Sequence, residues 1–356
     1  MQNKTRVFLF VFCASLLIQV FLWLNFEFID EELWIPLAEK VAAGETIPRD
    51  YITYGYPGTS FLLPASLLMK SGIDTALALR LSLAILISIA VTFIGIAAHM
   101  LRPQSLWWVG SVGLIIFSRL YESATLPSSL VSVLTVLLAF LILLILERKD
   151  AAGIRHFLIL GIAGGVALST RFDITAIFLG SGLLFLWFCF GKKILITAGT
   201  SAVIFSLINL PMGTPLNYMI GAYEKLNDLY FHNLITTEPF TRILAMSPLA
   251  MLSVFLGTTL LIFWPRFFPV PKNFFIWLSA TTLVITGILM LSRYHPAWYF
   301  YPLFFVWESL LPLFFLSYSE KTESPLKWPT TRRINAALIG FLVFSQAVTT
   351  LHLLSL

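Results

Sequence analysis

Charge is scarce in this chain of 356 residues. Asp, Glu, Lys and Arg make up 12% of it, against about 25% in a typical soluble domain. Apolar residues reach 58% and the mean hydropathy is +0.88, so a water-soluble globule is excluded. Cysteine is nearly absent: Cys13 and Cys189 lie inside apolar runs, and no exported disulfide framework is implied. No basic run is interleaved with aromatics, so the chain offers nucleic acid no footprint. No internal repeat of the kind common in transporters is present. No His, Cys or acidic spacing demands a metal, although a divalent ion is compatible with the carboxylates below, and no cofactor is required. The outer loops assigned below contain no Asn-x-Ser/Thr sequon, the one such triplet beginning at Asn3; this favours a bacterial inner membrane over a secretory one.

What the chain does have is long apolar runs, and runs of about 18 or more residues read as transmembrane helices. Val7–Leu24, Leu81–Ala98, Leu130–Ile145, Ile174–Phe190, Phe274–Leu291 and Ala336–Leu354 are the clearest. Ile194–Leu210, Leu249–Trp264 and Phe300–Leu316 follow, and Leu106–Phe117 and Phe157–Leu168 are short. The expected fold class is all-α, a polytopic transmembrane helical bundle of about ten or eleven spans. A single domain over residues 1–356 is expected, with no C-terminal soluble domain. The first run follows Lys4 and Arg6 like a signal peptide, but no small-x-small cleavage site precedes Asn25, so it reads as a retained helix.

Charge gives these spans a side. With the N-terminus in the cytoplasm, the inner segments hold fourteen cations and four anions, and the outer segments nine cations and thirteen anions. The bias of Lys and Arg matches the positive-inside rule, so the basic balance reflects topology. Most carboxylates, thirteen of eighteen, then fall outside, and eleven of these lie on two long loops: residues 25–75 and 211–246. An active site is expected on that outer face.

The first outer loop carries the densest signal. Asp30, Glu31 and Glu32 follow the first span directly. Trp34, Leu37, Ala38, Val41 and Ala42 recur at helical spacing, which predicts a helix over Glu31–Ala43 with its apolar side on the membrane surface. Gly44 is placed to end it. Ile47–Tyr51 reads as extended or turning, and Thr59–Met69 is too short to span, so it is expected to be juxtamembrane or re-entrant. Asp-Glu after the first helix, Gly44, Arg49-Asp50 and Tyr56-Pro57 followed by Leu-Leu-x-Ala together resemble the first outer loop of the GT-C glycosyltransferases. The likeness is to bacterial members related to protein O-mannosyltransferases and lipid A aminoarabinose transferases. It is dense over residues 30–68, and Gly58 stands where a second Pro is common. Ser118–Glu122, the Gly-rich stretch from Gly161 to Arg171 and Asp173, and Arg293–Pro302 fit the same pattern more loosely.

The resemblance implies an inverting transfer of sugar from a polyprenyl-phosphate donor to a lipid, glycan or protein acceptor outside the membrane. Such a reaction needs a base near the acceptor; Asp30 is the candidate, with Glu31 as support or alternate. The departing phosphate gathers negative charge, which cations stabilise, and Arg binds phosphate through two parallel bonds. Arg293, Arg119, Arg171 and Arg49 all map to the outer surface for that role. Asp50, Tyr54, Tyr56, Glu122, His295 and Tyr299 are the substrate-binding candidates, and membrane lipid surrounds the whole.

Each residue also has a plainer reading. Acidic residues after a first helix often form a solvated cap, and cations at span ends often snorkel. His295 suits interfacial packing, and Gly161 with Gly165 suits close helix contact. Glu308 lies in an apolar run, where a carboxylate is paired or functional by default. Two other functions remain open from the residues: a transporter or flippase, and a non-catalytic subunit of a glycan-assembly complex.

Overall fold

The computed structural model describes residues 2–25, 31–47, 59–101, 126–210, 271–290, 302–303, 306–307 and 309–310. Every regular element among these is helical. They are α1 (Gln2–Asn25), α2 (Glu31–Ala43), α3 (Thr59–Lys70), α4 (Thr75–Leu101), α5 (Leu126–Arg148), α6 (Ile154–Thr170), α7 (Phe172–Phe190), α8 (Ile194–Ile208) and α9 (Lys272–Met290). Thr75–Leu101, Pro127–Arg148 and Ile174–Ile208 are long and apolar enough to cross a membrane, the last being α7 and α8 joined through a short turn. Phe8–Phe21, Ile154–Thr170 and Lys272–Ile288 are shorter apolar helices. The protein is an integral membrane protein. The expected spans Leu106–Phe117, Leu249–Trp264 and Ala336–Leu354, most of Phe300–Leu316 including Glu308, and the loop 211–246 lie outside the described residues.

The core is α5, whose membrane-spanning stretch is buried on all sides. A helix that is apolar all round belongs inside a bundle, and α4, α6 and α7 pack around this one. The first helix runs antiparallel to α4. Ser15 Oγ donates to Ser88 Oγ at 2.9 Å, and Phe8 meets His99 edge-on at 5.9 Å, so low numbers on one match high numbers on the other.

The α6–α8 contact has the opposite sense. Thr197 Oγ1 donates to Phe157 O, Ser201 Oγ to Gly161 O, and Asn209 Nδ2 to Ser169 Oγ, each at 3.0 Å and each forty residues apart. A constant offset means parallel helices, with α7 returning between them. The short run Phe157–Leu168 is therefore part of a full helix, paired to α8 from its first turn to its last. Glycine makes this approach possible. A Cβ on Gly161 would lie 2.6 Å from Thr200 Cβ, and one on Gly165 would lie 2.6 Å from Ile204 Cβ and 2.8 Å from the Ser201 carbonyl oxygen. Small residues let backbones meet in this way inside membranes, as the Gly161/Gly165 spacing suggests.

The two juxtamembrane helices lie where the sequence puts them. Gly44, with φ +77, ends α2: its N–H donates to Val41 O at 3.1 Å, and Glu45 N–H to Lys40 O at 2.9 Å. That pair of bonds is a Schellman cap, which needs a left-handed residue. Gly72 ends α3 in the same way. With 12 residues, α3 rises about 18 Å, short of the ~30 Å apolar core of a bilayer. One expectation is corrected. The apolar side of α2 does not lie against lipid: Trp34, Leu37, Ala38 and Val41 are buried, and Trp34 meets Phe61 of α3 edge-on at 5.1 Å. The helix turns inward because α3 and α4 offer a ready apolar surface beside it.

Candidate active site

Helix direction brings several polar ends together. The starts of α3 and α5 and the ends of α6 and α8 share one end of the bundle, tied by side-chain hydrogen bonds. Thr59 Oγ1 donates to Asn209 Oδ1 at 2.6 Å. Ser60 Oγ and Thr170 Oγ1 lie 2.7 Å apart. Asn209 Nδ2 reaches both Ser169 Oγ, at 3.0 Å, and Phe205 O, at 2.7 Å. All five side chains are buried, where polar groups hold only if partnered. The opposite end carries the turns at Lys149–Ala151 and Gly191–Lys193, with Arg148, Lys149, Arg155, Lys192 and Lys193 on or beside them.

Asn209 links α3, α6 and α8, so its loss has a measurable cost. Asn209→Leu removes both amide donors and the acceptor for Thr59. Unpaired buried groups cost about 1–3 kcal/mol, and interhelical bonds in membranes are worth roughly 0.6–1.7 kcal/mol each. A drop of about 1–3 kcal/mol is expected, read as a fall of several degrees in the thermal unfolding midpoint in detergent. An unchanged midpoint would mean that the knot contributes nothing.

Two of the site residues expected from sequence are described. Glu31 opens α2, and its carboxylate is held by a guanidinium from α4. Arg80 Nε donates to Oε1 at 2.7 Å and Arg80 Nη2 to Oε2 at 2.6 Å. The pair is largely enclosed, with side chains 17% and 8% exposed for Arg80 and Glu31. Glu32, next in the same turn, is exposed. Arg171 lies at the junction of α6 and α7 in extended backbone, φ −157 and ψ 114. It sits at the end of the bundle that carries Thr59 and Asn209, inside it and not on its surface: the residue is fully buried, and Nη1 donates to Ser128 Oγ of α5 at 3.2 Å. The break between two consecutive helices turns the side chain toward α5. Asp30, Arg49, Asp50, Tyr54, Tyr56, Arg119, Glu122, Arg293, His295 and Tyr299 lie outside the described residues.

Sequence reasoning missed Arg80, Thr59, Ser128 and Asn209. Arg80 had a signal. It stands in the second turn of an apolar helix, and a cation there is paired or functional by default. Its partner is 49 residues away, so spacing could not name it. Among the described residues, no three His, Cys, Asp or Glu side chains converge as metal ligands.

No family model matches the chain, and no curated protein matches it in sequence. Among solved structures, ArnT from Cupriavidus metallidurans, crystallised bound to undecaprenyl phosphate, aligns over 96% of this chain and 70% of its own. The TM-score is 0.54 at 12% sequence identity. The fold is GT-C-like. Sequence identity this low carries the architecture and leaves the chemistry to the chain's own residues. In the GT-C-like frame, α2 and α3 are the juxtamembrane helices of the first loop. Both are fixed to the bundle, α2 by Glu31 on Arg80 and α3 by Thr59 and Ser60 on the ends of α6 and α8. The segment 48–58, with Arg49, Asp50, Tyr54 and Tyr56, therefore leaves from and returns to anchored helices.

Proposed function

We propose that this protein is an inverting glycosyltransferase that moves a sugar from a polyprenyl-phosphate donor to an acceptor at the outer face of the membrane. The observation that carries the reading is the first loop. Its Asp-Glu, Gly, Arg-Asp and Tyr-Pro pattern is mounted on two helices pinned to a GT-C-like bundle. Rigid mounting is what a site needs when reacting groups must be held to within fractions of an ångström.

In this reading Asp30 removes the proton of the acceptor hydroxyl as that oxygen attacks the anomeric carbon. The bond from that carbon to the phosphate oxygen breaks, inverting the centre, and polyprenyl phosphate leaves with the electron pair. Arg293, Arg119, Arg171 and Arg49 are proposed to meet its charge. Arg171 is already desolvated, and an anion brought against a buried guanidinium interacts more strongly than one in water. Asp50, Glu122 and His295 would orient the sugar hydroxyls, and Tyr54, Tyr56 and Tyr299 would stack on the ring. The basic turns at the other end of the bundle support an N-in orientation, and in this reading the site faces the periplasm across a bacterial inner membrane.

An acceptor screen tests this. Purified protein given labelled polyprenyl-phosphate sugar and a panel of lipid, glycan and protein acceptors is expected to move label onto one class. Intact donor with every acceptor, from folded protein, would overturn the proposal.

A further inference from the structure

The pair formed by Glu31 and Arg80 carries an inference about the first loop. We infer that it is a positioning clamp, setting the rotation and axial register of the first turn of α2, and that Glu31 therefore supports the reaction without acting as its base. The reactive role of the loop rests on the proposed glycosyltransferase reading; the ordering role does not.

Three observations support it. First, both carboxylate oxygens of Glu31 are engaged, at 2.7 and 2.6 Å, by two nitrogens of one guanidinium. A carboxylate bound in this fork geometry is held in direction as well as distance, with both oxygens occupied. Second, α2 does not need the ions to stay docked. Trp34, Leu37, Ala38 and Val41 already bury its apolar side, and enclosed ion pairs are weak sources of net stability. Apolar burial is non-directional, and the fork adds a directional restraint on rotation and register. Third, the other half of the clamp is itself fixed. Asp74 Oδ2 caps the start of α4 by accepting from the N–H groups of Ala76 and Leu77, at 3.1 and 3.3 Å. Five residues beyond Leu77, Ser82 Oγ donates to Phe61 O of α3 at 2.7 Å. Arg80 lies between these contacts, so α2 is referenced to α3 and α4 together. Asp30 is the residue immediately before the clamped one in the sequence.

The test combines amide hydrogen exchange with steady-state kinetics on full-length protein, using polyprenyl-phosphate sugar as donor. Arg80→Met and Glu31→Gln are expected to speed exchange over residues 31–43 at least tenfold while α5, α6 and α8 keep wild-type protection, which also shows that the bundle is folded. The same variants are expected to lower kcat by about 10–100-fold, as misplacement does, with the donor KM changed less than threefold. Arg80→Lys keeps the charge but loses the fork, and should fall between. The exchanged pair Glu31→Arg/Arg80→Glu should recover protection over 31–43 and part of kcat. Unchanged exchange over 31–43 in both single variants would overturn the clamp. So would wild-type kcat in an active preparation of either. A wild-type protein that turns over no polyprenyl-phosphate donor counts against the glycosyltransferase reading alone, because the exchange measurement still decides the clamp.

Discussion

Gly165→Leu is expected to separate α6 from α8 and leave a protein that no longer holds its loop-bearing end together. Even a Cβ at this position would lie 2.6 Å from Ile204 Cβ, 2.8 Å from Ile204 Cγ2 and 2.8 Å from the Ser201 carbonyl oxygen. The obstacles are a β-branched side chain at its root and a backbone oxygen, neither of which can swing away. Overpacking costs about 1–3 kcal/mol where neighbours can adjust, and a whole Leu side chain against a parallel helix sets the expectation at about 3 kcal/mol or more. At about 2–4 °C per kcal/mol for a chain of this order, the unfolding midpoint in detergent should fall by roughly 10 °C. Gly199 provides the control. It lies on α8 with nothing within 4 Å of a built Cβ, so Gly199→Ala should gain up to about 1 kcal/mol from helix propensity. Opposite signs at two glycines of one helix pair would identify the cause as the α6–α8 approach. A tolerated Gly165→Leu would mean that the two helices do not meet as described.

Asp30→Asn is expected to abolish turnover. Asn matches Asp in shape but cannot take a proton at neutral pH, so the substitution removes the base and little else. General-base catalysis contributes about 10²–10⁴-fold, and a loss in kcat of that size is expected, with expression, thermal stability and donor binding near wild type. Label transfer under saturating donor measures it. Full activity would remove Asp30 from the mechanism and leave the base to another residue. Contrast with Glu31→Gln separates the two neighbours: that variant should retain measurable turnover and loosen α2, whereas Asp30→Asn should lose turnover with α2 still protected.

Much of the local structure was legible in the sequence because local rules produce it. The bounds of α2 follow from helical spacing, and Gly44 ends it because a left-handed residue is needed there. The shortness of α3 excludes a span on length alone. Gly161 and Gly165 announce a close helix contact without naming the partner. What could not be read is which apolar medium each apolar face meets. Lipid tails are as apolar as Leu, so the pattern Trp34, Leu37, Ala38, Val41 fits a membrane surface and a protein surface equally. The structure chooses protein. For the same reason Arg171 reads as a surface cation, although it is enclosed against Ser128. The ties that fix the candidate site join residues distant in sequence: Glu31 to Arg80, and Thr59 to Asn209 across 150 residues. No periodicity encodes such pairs. The spacing Thr197, Ser201, Phe205, Asn209 along α8 was an available signal, since three polar residues on one face of an apolar helix require partners.

The most direct test follows the lipid and the sugar separately. Proteoliposomes holding the purified protein and a doubly labelled polyprenyl-phosphate sugar, with the acceptor identified by the screen added outside, are sampled for both labels over time. The expected result is one polyprenyl phosphate released for each sugar that appears on the acceptor, in wild type and not in Asp30→Asn. Sugar that crosses the bilayer still joined to its lipid, at the same rate in both proteins, would contradict the transferase reading and identify a flippase.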